Sequence, residues 1–287
     1  METVDIAIIG SGPAGISAAI NAQIRHKSFY LFGNSDLSDK VQRSELISNY
    51  PALPDISGAE LNALFREHLE KAQIAVTQKR ITGIFKMKNR FVLLADREKF
   101  EAKSVILATG TETVKPVKGE HELLGRGVSY CATCDGNLYK GKTVAVVCDN
   151  APMEDEADYL SALAGKIYYL PLFKGGSFSA DNAEVLPSPI TEILGEQRVS
   201  GIRLKSGEEI AVDGVFFLKQ SVSPAVLLNG LETNGGHVTV NRDMGTSVKG
   251  CFAAGDCTGL PYQITKAMGE GNIAAHSAFK YLSEIRD

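Results

Sequence analysis

Asp5-Ile6-Ala7-Ile8-Ile9-Gly10-Ser11-Gly12-Pro13-Ala14-Gly15-Ile16 is the stretch that decides the fold of this 287-residue chain. The apolar run Asp5 to Ile9 reads as a buried strand and Ile16 to Ile24 as a helix. Between them stands G-x-G-x-x-G, placed as a dinucleotide-binding turn requires. Gly10 permits the tight turn, Gly12 lets the main chain approach a pyrophosphate, and Gly15 lets helix and strand pack closely. Free N–H groups at the helix start then receive the phosphate charge.

Working outward, strand Ser28 to Phe32 ends at Gly33-Asn34, where an acidic residue commonly holds the ribose. Asn34 is the candidate there, since Asp36 comes slightly late. Residues Asp36 to Pro54 form an irregular loop containing Ser48-Asn49-Tyr50-Pro51, either a surface crossing or a lid over a cofactor. Helix Gly58 to Lys71 follows, then strand pieces around Val76, Ile84 and Phe91 to Leu94. Ser104 to Gly110 is an apolar strand ending in the small-residue turn Ala108-Thr109-Gly110, as suits a backbone lying against a ligand.

A second strand–turn–helix begins at Thr143 to Cys148 and continues through Asp149-Asn150-Ala151-Pro152-Met153 into a helix from Glu154 to Ala164. None of the three glycines is present, and Asp149, Glu154, Asp155, Glu156 and Asp158 surround the helix start. Each such charge near ~4 Å of a phosphate costs about 1 kcal/mol in water and about 4 kcal/mol near a protein surface. Strand Lys166 to Leu170 then runs into Pro171-Leu172-Phe173-Lys174, a single lysine where a 2′-phosphate calls for arginine. The remainder is short and β-rich, with strands at Ile202 to Leu204, Glu209 to Val212, Val215 to Leu218 and His237 to Val240. A return segment, Gly250-Cys251-Phe252-Ala253-Ala254-Gly255-Asp256, can set a carboxylate on a cofactor's hydroxyls, and Gln263 precedes a last helix, Lys266 to Leu282.

Between the two units lies Tyr130-Cys131-Ala132-Thr133-Cys134-Asp135-Gly136. Two thiols at i and i+3 can close a disulfide where the backbone turns into a helix. A helix start also favours a thiolate, and Asp135 can hold or release a proton during thiol exchange. A C-x-x-C pair is also half of a thiolate metal cage, but no second pair or H-x-x-x-H completes one. His26, His68, His121, His237 and His276 show no ligand spacing, so no metal site is expected. Cys148, Cys251 and Cys257 lie in or beside apolar strands and read as small buried hydrophobes.

A formal net charge of −4 excludes nucleic acid as a general partner, which calls for a basic surface. No apolar run reaches the length of a membrane span, and the start shows no basic n-region or cleavage site. Five cysteines are too few and too irregular for a secreted disulfide framework. The expected compartment is therefore the cytoplasm, where a C-x-x-C is a working couple rather than a staple.

Taken together, Gly10 to Gly15, Ala108-Thr109-Gly110, Cys131 to Gly136 and Phe252 to Asp256 resemble the motifs of the low-molecular-weight thioredoxin reductases, in order and over nearly the whole chain. The resemblance implies an α/β fold of two dinucleotide-binding, Rossmann-like, three-layer domains, the second inserted into the first. Residues 1–114 and 246–287 would form the FAD-binding domain, and 115–245 a shortened NADPH-type domain carrying the C-x-x-C. It also implies a homodimer and a thioredoxin as substrate. Carried over by position, Gly12, Pro13, Ala14, Asn49, Asp256 and Gln263 would contact FAD, beside Gly10, Gly15, Asn34, Ala108, Thr109, Gly110 and Gly255. Cys131 and Cys134 would be the redox pair, with Asp135 as proton donor and acceptor.

The family's glycine-rich NADPH loop falls on Cys148 to Met153 and its basic cluster on Pro171-Leu172-Phe173, and both are erased. That pattern resembles the ferredoxin-dependent flavin thioredoxin reductases, which keep flavin and disulfide but draw electrons from reduced ferredoxin. The rivals are an NADPH-dependent thioredoxin reductase with an atypical loop, a flavin dithiol oxidase using oxygen, and a non-catalytic flavoprotein. A ferredoxin is usually acidic and wants a basic docking patch. Lys79, Arg80, Lys86, Lys88 and Arg90 form the densest cluster, which a solvated strand edge explains better.

Overall fold

Ile6, Ala7 and Ile8 are fully buried, as an apolar strand covered on both faces must be. They belong to β1 (Thr3–Ile9), the middle of the larger sheet. The computed structural model describes residues 3–95, 98–111, 117–120, 122–174, 176, 178–219 and 224–285, with the side chains of Cys134 and Pro152 outside that set.

The chain divides into two units, residues 1–111 with 223–287, and residues 112–222. In the first, β1 is followed by α1 (Pro13–Ile24), β2 (Phe29–Phe32), α2 (Asp39–Gln42), α3 (Gly58–Lys71), β3 (Val76–Thr77), β4 (Gly83–Lys86), β5 (Phe91–Ala95) and β6 (Glu98–Leu107). The sheet order is β3-β2-β1-β6-β5-β4. Strands β2, β1 and β6 run parallel, and β4 and β5 form an antiparallel extension. Helix α3 starts where the sequence reading placed it, because Ser57 and Glu60 form a reciprocal capping box that satisfies free N–H groups at both positions.

The second unit holds β7 (Val128–Ser129), α4 (Ala132–Asp135), β8 (Thr143–Cys148), α5 (Glu154–Ser161), β9 (Lys166–Pro171), β10 (Ala183–Val185), β11 (Ile190–Leu194), β12 (Gly201–Leu204), β13 (Glu209–Ala211) and β14 (Gly214–Leu218). Five of these strands form a parallel sheet ordered β10-β9-β8-β14-β7, and β11, β12 and β13 form an antiparallel one. Helix α5 is shorter than the periodicity suggested, since the chain tightens at Leu163, whose N–H bonds Leu160 O.

The chain then returns to the first unit as α6 (Pro224–Leu227), β15 (Thr233–Asn234), β16 (His237–Val238), β17 (Cys251–Ala253) and α7 (Ile264–Glu284). The return comes at 223, earlier than the 246 expected. Leu228 already bridges Ile84 of β4, and the His237 ring meets the Tyr262 hydroxyl at 2.6 Å. The other expected boundary, at 114, falls within 112–116 and so outside the described residues. Strand β17 lies parallel beside β6. Helix α7 packs on α1 through small residues so closely that a Cβ on Gly271 would stand 2.1 Å from Ala14 O. Both units are Rossmann-like, with the second inserted into the first.

Candidate functional site

In the first unit the predicted cofactor residues gather at the carboxyl ends of β1, β6 and β17, where open α/β sheets take their ligands. Gly10 follows β1 with φ +119. Ala108 N–H bonds Ile9 O at 2.8 Å and Ala254 N–H bonds Leu107 O at 2.9 Å, so the three strand ends stay in step. Gly12 is the N-cap residue of α1, with no side-chain cap and no acid in the first turn. Apart from its chain neighbours, no protein atom lies within 4 Å of where a Cβ on Gly12 would stand. That open position before uncapped N–H groups fits a dinucleotide pyrophosphate.

Asn34 reaches this cradle through Ser11, whose hydroxyl accepts from Asn34 N–H at 3.1 Å and donates to Leu37 O at 2.9 Å. The loop after β2 crosses toward the start of α7. Asn49 donates to Gln263 Oε1 at 2.7 Å, and Lys40 Nζ stands 2.5 Å from Asp256 Oδ2 and 4.7 Å from the Tyr262 ring centre. Lys40 escaped the sequence reading, as did Lys266. The Lys266 ammonium donates to Gly255 O at 2.8 Å, Gly259 O at 2.7 Å and Thr258 Oγ1 at 2.9 Å, fixing the turn that presents Asp256.

In the second unit Cys131 is disulfide-bonded and buried. Cys134 lies in α4 by its main chain, and its side chain is outside the described residues. Ser129 organises the segment. Its hydroxyl accepts from Cys131 N–H at 3.1 Å and stands 2.6 Å from Asp135 Oδ2. Glu156 Oε2, in the first turn of α5, accepts from Ala132 N–H at 3.3 Å and so supports the start of α4.

Helix α5 has Glu154, Asp155 and Glu156 in its first turn. Glu154 Oε1 accepts from Tyr169 Oη at 2.9 Å and from Phe178 N–H at 3.2 Å. Burial, first of all, raises the pKa of Cys148 and of Tyr169, so both stay neutral. Beyond β9, a cavity of about 330 Å³ is lined by Leu172, Phe173, Leu186, Pro187 and Pro189, with Lys174 at its wall.

The family of pyridine nucleotide-disulphide oxidoreductases matches residues 4–148 and 184–271. This chain belongs to that family. The matched stretches leave out 149–183, the segment holding the acidic helix start and one wall of the cavity. Thioredoxin reductase from Aquifex aeolicus is 35% identical over 98% of this chain and 94% of its own length. A ferredoxin-flavin thioredoxin reductase from Clostridium acetobutylicum superposes with a TM-score of 0.90 at 48% identity, covering 99% of both chains. The atypical thioredoxin reductase of Desulfovibrio vulgaris Hildenborough gives 0.70 at 30% identity, over 98% of this chain and 99% of its own.

Thioredoxin reductases of the family bind FAD, and the cradle at Gly12 suits it. Of the basic run, Lys86 ends β4, Lys88 and Arg90 lie between β4 and β5, and Lys79 and Arg80 follow β3. Lys79 pairs with Glu98 at 2.5 Å and Arg90 with Glu101 at 3.3 Å. Lys86 lies 4.1 Å from the Phe91 ring centre, and burial lowers its pKa. Among the described residues, no group of three or more His, Cys, Asp or Glu could hold a metal, and no helix is long and apolar enough to cross a membrane.

Cys148, Cys251 and Cys257 are free and buried. Burial pushes Cys251 up to about 12 and Cys257 up to about 11. At pH 8 their reactive thiolate is then about one part in a thousand or less. Iodoacetamide at that pH is expected to leave both unmodified in the native enzyme and to label both in guanidinium, as peptide mass mapping will read.

Proposed function

We propose that this chain is a flavin-dependent thioredoxin reductase that takes electrons from reduced ferredoxin, not from a pyridine nucleotide. The observation that carries the reading is the contrast between two helix starts. The first turn of α1 holds no acid, and Gly12 leaves open space before it. The first turn of α5 holds three acids, and Glu154 already uses the donors Tyr169 and Phe178. One start attracts a pyrophosphate and the other repels it. The likeness to the clostridial ferredoxin-flavin enzyme supports the same donor.

In this reading Gly10, Gly12, Pro13, Ala14 and Gly15 hold the FAD pyrophosphate side, with Asn34 toward the ribose. Ala108, Thr109 and Gly110 line the site, and Gly255, Asp256, Asn49 and Gln263 complete it. Bound FAD supplies the conversion of single electrons into a pair. Cys131 and Cys134 form the redox disulfide. Its reduction takes two electrons and two protons and leaves two thiols, which exchange with the thioredoxin disulfide. Asp135 moves a proton at Oδ2, oriented by the Ser129 hydroxyl. A plant-type ferredoxin near roughly −400 mV and thioredoxin near roughly −270 mV differ by about 130 mV, or about 6 kcal/mol for two electrons. The driving force therefore needs no hydride donor. A cytoplasmic homodimer belongs to the same reading.

Anaerobic titration of the purified holoenzyme tests it. Reduced ferredoxin is expected to bleach the flavin's visible absorbance and NADPH to leave it unchanged. Bleaching by NADPH overturns the proposal, and rapid dithiol-dependent oxygen uptake would make the enzyme an oxidase instead.

A further inference from the structure

Two charges are buried in the second unit beside the redox segment. The Lys219 and Glu120 side chains are exposed by only 3% and 0%, and Lys219 Nζ lies 2.5 Å from Glu120 Oε1. The Tyr130 hydroxyl donates to the same oxygen at 2.5 Å, and Val117 N–H donates to Oε2 at 2.9 Å. The ammonium also sits 4.6 Å from the Phe217 ring centre and 5.6 Å from that of Tyr130. Burying such a pair costs several kcal/mol per ion in lost hydration, so it is weak evidence for stability; its best-attested use is to specify an arrangement.

What it specifies follows from the sheet. β7 is a two-residue edge strand that joins the sheet through Val128↔Val215 and Ser129↔Phe216, with Val128 also bridging Leu124. The ladder stops at Ser129, and the next residues are Tyr130 and then Cys131. Ring packing of Tyr130 on Phe217, centres 5.9 Å apart, carries the contact one residue past the end of the ladder. The hydroxyl then ties that residue to Glu120, and through it to Lys219 just beyond the end of β14. The side-chain network takes over where the sheet lets go, one residue before the redox cysteine.

We propose that Glu120 and Lys219 are positioning residues for Cys131, acting through Tyr130 to hold the redox cysteine where its disulfide closes. The assignment rests on the reductase reading of that disulfide. Preorganised thiols form a disulfide more readily, because less freedom is lost on closure. Loosening Tyr130 therefore shifts the couple toward the dithiol.

The test is a redox titration of the holoenzyme against oxidised and reduced dithiothreitol, without ferredoxin or thioredoxin. Each exchange moves two electrons and two protons between the enzyme disulfide and the reagent, and acid quench with alkylation counts the thiols. Tyr130→Phe keeps the ring and removes the link to Glu120. It is expected to lower the disulfide formation constant about tenfold, a potential about 30 mV more oxidising. The paired variant Glu120→Gln/Lys219→Met leaves no buried charge unmatched and is expected to shift the same way. Either variant titrating at the wild-type potential overturns the assignment, even where its melting temperature falls. A wild-type enzyme whose Cys131 disulfide accepts no electrons from dithiothreitol instead overturns the reductase reading.

Discussion

Gly12→Ala is expected to give a folded protein that holds FAD about 10- to 150-fold more weakly, while Gly10→Ala is expected to give little folded protein at all. The two glycines stand two residues apart and meet different surroundings. Apart from its chain neighbours, a Cβ on Gly12 meets no protein atom within 4 Å, and its φ of −76 suits any residue. The methyl instead enters the space assigned to the pyrophosphate and holds it away from the first N–H groups of α1. Losing one hydrogen bond to a charged group costs about 1.5–3 kcal/mol, or about 10- to 150-fold in FAD affinity. At Gly10 a Cβ would lie 2.1 Å from Ala108 O, on a backbone with φ +119. Strain there is about 1–3 kcal/mol, and overpacking adds about 1–3 kcal/mol. Relief requires prising β1 from β6 at Ile9↔Leu107, in the middle of the sheet. Against a total stability of about 5–15 kcal/mol, that loss is severe. Bound flavin per chain and far-ultraviolet circular dichroism separate the outcomes. A yellow Gly12→Ala protein with unchanged FAD affinity would remove the cradle from the cofactor's site.

The local features of this fold were legible because each carries its own signal. The glycine turn after β1, the limits of α3 and the acidic start of α5 depend on residues within a few positions of one another. Contacts that complete the sites do not. Lys40 meets Asp256 and Lys219 meets Glu120 across 216 and 99 residues, and no periodicity marks such pairs. Glu156 read as one of several acids spoiling a phosphate site, yet its carboxylate also accepts the Ala132 N–H. The same charge can lose one ligand and support another element, and only the fold reveals the second role. The return to the first unit at 223 was missed for a related reason. α6, β15 and β16 are two to four residues each, too short for any hydrophobic period to announce where they pack.

Cys134→Ser is expected to keep the flavin and its reduction by ferredoxin while thioredoxin reduction falls by roughly a thousandfold or more, the scale on which loss of a catalytic nucleophile acts. A serine hydroxyl is close to a thiol in size but cannot form a disulfide or serve as a thiolate, so the change removes chemistry and not packing. The cofactor cradle lies in the other unit, built from Gly10 to Gly15, Ala108 to Gly110 and Gly255-Asp256, and it shares no residue with the C-x-x-C. Flavin content and bleaching by reduced ferredoxin should therefore match the wild type, which makes the variant its own control. Three results are separable by measuring bleaching and thioredoxin reduction side by side. Loss of the second with the first intact places the disulfide on the route of electrons. Loss of both means that the cysteine also holds the cofactor site together. Retention of both would show that thioredoxin is reduced without this disulfide, and the reductase mechanism would fail. The surviving thiol in Cys134→Ser and in Cys131→Ser can then be offered a single-cysteine thioredoxin whose active-site sulfur is capped as a disulfide with thionitrobenzoate, so that attack forms the protein–protein disulfide and releases the thionitrobenzoate thiolate. The variant that accumulates a mixed disulfide keeps the exchange thiol, because attack on thioredoxin leaves that sulfur bonded when its neighbour is gone.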